Sequence, residues 1–175
     1  MAVPTVKGQP MNVSEAVNNV RQHHALEHAT IHILSRLYPY TRLMGRSTLS
    51  GFVIYGPLTT QVVASAASEA LARLQQGEAY LAVHPRCGTN LAVTGVLAGT
   101  VAFGVTAVGR PRSKADRLPL ALLAATAAVI VAQPVAHKIQ ERVTTSPDVE
   151  NLHIAQVIRQ ERGAIVAHKV VIGRD

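Results

Sequence analysis

The sequence predicts an α+β membrane protein, a small α-β-α-β/α-β domain interrupted by a two-helix transmembrane hairpin. Three observations predict it. Two runs, Leu91–Val108 and Leu118–Ala136, hold 18 and 19 residues without a charge. As helices each spans about 27–28 Å, close to the hydrocarbon core of a bilayer. The break between them, GRPRSKADR, gathers four basic residues, one acid and a proline. Around this insertion, apolar residues recur at helical spacing in some segments and in short β-branched runs in others. A hairpin returns the chain to the side it left. Residues 1–88 and 137–175 are therefore expected to form one α+β domain, with 89–136 as the hairpin.

Composition points the same way. Apolar residues make up 48% and charged residues 15%, against about 25% charged in ordinary globular chains. Mean hydropathy is +0.20. Aromatics are scarce and Trp is absent, so Ala, Val and Leu carry the apolar content. The competing reading, a pair of buried core helices in a soluble protein, needs more covering chain than 175 residues supply.

Residues 13–38 read as a helix, started by Asn12 or Ser14 and stopped by Pro39. LSGFVIYG (49–56) reads as a short strand. TTQVVASAASEALARLQQG (59–77) reads as a helix ended by Gly77. AYLAVH (79–84) reads as a strand. After the hairpin, SPDVENLHIAQVIRQERG (146–163) opens on Ser-Pro and closes on Gly, which predicts a helix. AIVAHKVVI (164–172) reads as the final strand. Within the hairpin, Gly95/Gly99 and Ala124/Ala128/Ala132 form rows of small residues that let helices approach closely. The hairpin is expected to pack on itself or on a partner's helix.

The net charge is +7, divided as +3 in residues 1–88, +3 in 110–117 and +1 in 137–175. No aromatic residues interleave with the basic ones, which argues against nucleic-acid binding. The basic loop suits a membrane surface. A lone cysteine, Cys87, forms no intrachain disulfide and is compatible with a reducing compartment. The first residues, MAVPTVKGQPMNVSEAV, hold no continuous apolar stretch, so no secretory signal is expected. The expected topology places the soluble domain in the cytoplasm, although the four basic residues of the loop pull the other way.

The chemistry concentrates in RQHHALEHATIHIL (21–34), which contains His24-Ala-Leu-Glu27-His28. Residues i and i+4 share a helix face, so His24 and His28 project side by side with Glu27 nearby. Two imidazoles at that spacing suit a zinc ion, and the glutamate suits a catalytic base acting on bound water. The H-x-x-E-H order is similar to that of the inverzincin metallopeptidases, a likeness of five residues that implies no shared fold. The surrounding apolar residues predict a buried helix, in which a Glu and two His need partners. Paired His and Glu satisfying each other is the simpler alternative. A third ligand is required. Glu69 on the next helix is the first candidate; His84 or Cys87 of HPRCGTN is the rival, although that tetrad could equally be a turn capping a helix. His137, His153 and His168 read as surface or interfacial residues. No Gly-rich phosphate loop occurs, and the three aspartates offer no triad context.

HHALEHATIHIL, GRSTLSGFVIYG, EALARLQQGEAYLAVHPRCGTNL and TTSPDVENLHI together resemble a family of bacterial integral-membrane proteins carrying a domain of unknown function, marked by HHALEHATIH and HPxCGTN. The resemblance spans most of residues 20–175. It implies a multi-pass protein of the bacterial cytoplasmic membrane and carries over no activity. Two functions follow as expectations: a zinc-dependent, metallopeptidase-like hydrolase using His24, His28 and Glu27, or a non-catalytic accessory or assembly subunit docked through the small-residue helices. A haem or quinone site is the weakest reading, since no C-x-x-C-H motif occurs and the paired histidines lie outside the apolar runs.

Overall fold

The computed structural model describes residues 12–107, 114–163 and 165–175. Val108 and the first basic residues of the connecting loop, Arg110 and Arg112, lie outside the described residues, as do residues 1–11.

Helix α1 (Val13–Leu37) starts where the capping signal predicts. Asn12 accepts from the amides of Ser14 and Glu15, and Glu15 reaches back to the Asn12 amide. This closed capping box fixes the first turn. Strands β1 (Met44–Thr48) and β2 (Gly51–Tyr55) form a hairpin, and α2 (Thr60–Gln75) follows. Thr59 caps α2 through its hydroxyl, and Gly77 takes φ +90 just beyond its end. Helices α3 (Gly88–Ala107) and α4 (Lys114–Ile139) make the long hairpin. A single π-helical turn, Gln140–Thr144, ends α4. Strands β3 (Leu152–Arg162) and β4 (Ile165–Arg174) complete a four-stranded antiparallel sheet of order β1-β2-β4-β3.

Helices α1 and α2 pack on each other and on one face of that sheet, α1 against β1 and β2, α2 against β3 and β4. Leu26 and Leu34 of α1, Val63 and Leu71 of α2, and Phe52, Ile54 and Val170 of the sheet share one apolar core. Val149 and Leu152, which follow the long hairpin in sequence, join the same core.

Two expected elements differ, and one strand was not expected. Residues 146–163 are not a helix; β3 begins at Leu152. A β-bulge between Ile154 and Gln156 breaks the strand's alternation. It puts Ile154 and Val157, three residues apart, against the same core. A spacing of three mimics a helix, and the Ser-Pro signal marks only the turn before Val149. Residues 79–84 are not a strand: Ala79–Ala82 form a 3-10 turn. The Glu78 carboxylate, gripped by Arg73 at 2.6 Å, bends the chain there, and consecutive Leu81 and Ala82 are both buried. Strand β1 went unforeseen because an edge strand reading MGRST has one apolar residue. His168, expected at the surface, is fully buried opposite Ile54.

Helices α3 and α4 are long and apolar enough to cross a membrane. At 20 and 26 residues they measure about 30 and 39 Å. Core helices of a soluble protein would bury their apolar side chains. Phe103 stays 72% and Ile130 69% exposed instead. The two helices pack on each other through Ala121, Ala132 and Ala136. Ala124 and Ala128 lie half-buried along the same row, while Gly95 and Gly99 face open space.

Replacing Leu26 by Ala should lower unfolding free energy by about 2–5 kcal/mol, measured by denaturant titration in detergent. A change no larger than that of an exposed substitution would show that this core does not hold the helices to the sheet.

Candidate metal centre

Three donor atoms meet at the root of the long hairpin. The ligand atoms of His24, His28 and Cys87 all lie within 4.8 Å of one another. The His24 and His28 rings sit 4.2 Å apart, as the i, i+4 spacing on α1 requires. Cys87 approaches from the turn that opens α3. Its amide donates to the His84 carbonyl at 3.2 Å, and its own carbonyl accepts the Asn90 amide at 3.0 Å.

Each imidazole is oriented from behind. His24 Nδ1 donates to the Thr144 carbonyl at 2.9 Å, and His28 Nδ1 donates to the Ala82 carbonyl at 2.8 Å. Both Nε2 atoms are thereby left as lone-pair donors. That is the outer-shell arrangement typical of metal-binding histidines. His24 Nε2 lies 3.3 Å from Cys87 Sγ.

The electrostatics suit a thiolate. Burial pushes the Cys87 thiol up, but its side-chain hydrogen bonds with His24, His28 and Thr89 outweigh it and bring the thiol down to about 5, and the Thr89 amide also donates to Sγ at 3.4 Å. The amide belongs to the first turn of α3, where a helix favours negative charge. Burial lowers His24, yet its bonds to Cys87 and Thr144 leave it raised overall.

Glu27 is buried on the adjoining face of α1. Burial raises its carboxyl above the usual range, against the Ser47 hydroxyl and the charges of His28 and His24, which pull it down. The Ser47 hydroxyl donates to it from β1. The carboxylate occupies the space a side chain at position 45 would need: a Cβ on Gly45 would collide with it. His84 and His32 extend the ring row. The His84 ring centroid stands 5.8 Å from His28 and 4.7 Å from His32. Burial, then the charges of His32, His28 and Arg86, lower His84 to about 4. The backbone amide of Arg86 donates to its Nδ1 at 3.2 Å.

Among the sequence candidates, His24, His28 and Cys87 come together, with Glu27 at their side. His84 stands next to the group without joining it. Glu69 does not join it either: half-exposed on α2, it pairs with Arg73 at 3.5 Å. Its position beside the buried stripe of Ala66, Ala70 and Leu74 leaves the carboxylate in solvent. Unforeseen were the carbonyls of Thr144 and Ala82, and Gly45 and Ser47 around Glu27. Backbone acceptors from distant segments carry no residue signature. Cavities of about 330 and 440 Å³ lie elsewhere, at the sheet end near Arg42 and Tyr55 and along the end of α4.

A buried polar network joins this site to both hairpin helices. The Gln140 side chain accepts from the His84 amide and donates to Asn90 at 3.1 Å. Asn90 in turn donates to the Pro85 carbonyl at 3.1 Å. Gln140 is fully buried, so each of these groups depends on the others.

The fold and site thus describe an α+β protein with two membrane-length helices and a His-His-Cys group able to hold a metal ion. The chain belongs to the family of a domain of unknown function, DUF6391, which it matches over residues 19–157. It is similar to an uncharacterised protein of Picosynechococcus sp., with 37% identity over 136 residues, 73% of this chain and 66% of that relative. The aligned stretch therefore spans just under two thirds of the relative's length. No solved structure matches the chain.

Gly45→Ala should displace the Glu27 carboxylate from Ser47 and destabilise the protein by about 1–3 kcal/mol. Combined with Glu27→Ala the two costs should fall short of their sum by about 0.5–3 kcal/mol, in a double-mutant cycle read by denaturant unfolding. Strict additivity would show that the two residues do not share the space.

Proposed function

We propose that this protein is a membrane-anchored metalloprotein, with its ion held by His24, His28 and Cys87 and its anchor formed by α3 and α4. The observation that carries this reading is the convergence of three donor atoms within 4.8 Å, two of them on imidazoles oriented by backbone carbonyls. A thiolate with two imidazoles favours zinc among the common divalent ions. The exposed apolar surfaces of α3 and α4 support a bilayer anchor. The segments flanking the hairpin then lie together on one face of the bacterial cytoplasmic membrane, the cytoplasmic one.

Protein purified from membranes should contain zinc at one ion per chain. His24→Ala/His28→Ala and Cys87→Ala should each lose it, by elemental analysis. Chelation should lower stability by about 2.7 kcal/mol where zinc had been present at a hundred times its dissociation constant. Unchanged metal in the double histidine variant sinks the reading.

Glu27 favours a hydrolytic role over a purely structural one. Three protein ligands leave a coordination position open to water or substrate. A buried carboxylate among His28, His24 and Cys87 could take the proton of a water that attacks a peptide carbonyl. Glu27→Gln should then keep zinc and abolish peptide cleavage by vesicle-reconstituted protein. If wild-type protein loaded with zinc cleaves no member of a peptide panel, the ion instead fixes the hairpin root of an accessory subunit.

A further inference from the structure

The groove of about 440 Å³ at the end of α4 lies far along that helix from its loop end, where an apolar span meets its first charges. Pro134, Val135, Ile139 and Val143 line it, with Lys138 and Arg142 on the same stripe. Its walls are apolar throughout, because Lys138 and Arg142 line it with their aliphatic stems and leave their cationic ends at its rim. The Arg142 guanidinium has no protein partner among the described residues, and Lys138 is held only by the exposed Glu141, at 3.1 Å. One turn of α1 adjoins this place: the Arg21 guanidinium donates to the carbonyls of Arg142 and Thr145. On the same side of α1 as Arg21, at spacings of four, Val17 and Val13 are exposed. These valines add exposed apolar surface to the face of α1 that carries Arg21.

We propose that this groove binds an anionic glycerophospholipid, its phosphate between Lys138 and Arg142 at the rim and an acyl chain along Ile139, Val135 and Pro134 toward the apolar span. Charge complementarity selects the occupant. A zwitterionic lipid carries an ammonium that two cations repel, and a soluble phosphate leaves the apolar stripe uncovered. Glu141 opposes Lys138 at 3.1 Å, and that pairing gives way when a phosphate takes its place. A lipid seated here touches the π-helical turn that supplies the Thr144 carbonyl to His24, which places it one turn from the candidate metal centre.

The inference rests on α3 and α4 being membrane-embedded. Two separate measurements distinguish the failures. Resistance to alkaline extraction from membranes tests the anchor alone; release into the soluble fraction overturns the anchor and this site together. Native mass spectrometry of the full chain, ejected from nanodiscs of mixed phosphatidylglycerol and phosphatidylcholine, tests the site. Phosphatidylglycerol should be retained at about tenfold or greater enrichment. Lys138→Glu/Arg142→Glu should remove the enrichment and keep the protein in the membrane, and Arg36→Glu, a charge reversal on the exposed end of α1, should leave it intact. Equal retention of the two lipids, the same enrichment in the double reversal, or full displacement by soluble glycerophosphoglycerol would each overturn the proposal.

Discussion

Helix α1 runs buried through the core while carrying polar side chains on several faces, and each must find a partner inside. Gln22 donates to the Asp148 carbonyl, His23 to that of Thr48, His24 to Thr144, His28 to Ala82 and His32 to Val83. Glu27 accepts from Ser47. A buried polar group left without a partner costs about 1–3 kcal/mol. Meeting that constraint fixes where the rest of the chain runs. Strand β1 comes to His23 and Glu27, the 3-10 turn to His28 and His32, and the end of the long hairpin to His24. The His-His-Cys group is one consequence: tying both imidazoles by Nδ1 leaves both Nε2 atoms facing Cys87.

The hairpin is held at its root by the same logic. Its helices bury little of their apolar surface, and Asn90 is the buried residue of α3. Polar groups must therefore supply the joint with the rest of the protein. Gln140, Asn90 and the His84 turn do so, and the π-helical turn after Ile139 widens the helix end so that the Gln140 carbonyl accepts both the amide and hydroxyl of Thr145. A metal ion at His24, His28 and Cys87 would fasten the same three elements again: α1, the head of α3 and, through Thr144, the tail of α4. The groove beside Lys138 and Arg142 reaches the same π-helical turn, so lipid contact and metal ligation would bear on one structural element.

The two long helices, the histidine helix with its cap, and the pairing of His24 with His28 were legible in the sequence. Each rests on a local regularity: an uncharged run, a capping box, a repeat of four. Glu69 was misplaced because it borders the buried stripe of α2 in sequence while its side chain points to Arg73 and solvent. Strand β3 was misread because its bulge converts alternation into a helical interval. The choice of Cys87 over Glu69 and His84 depends on how the turn before α3 folds back onto α1, a contact across 63 positions of sequence.

By itself the sequence determined which segments are bilayer-length and apolar, where α1 begins, and that two imidazoles share one of its faces. Those properties follow from spacing within a single element. Only the tertiary structure decided the third donor, the carbonyls that orient the imidazoles, the glycine that makes room for Glu27, and the strand that was expected to be a helix. Each of these depends on groups distant in sequence meeting in space. Backbone carbonyls, identical at every position, leave no trace in the order of side chains.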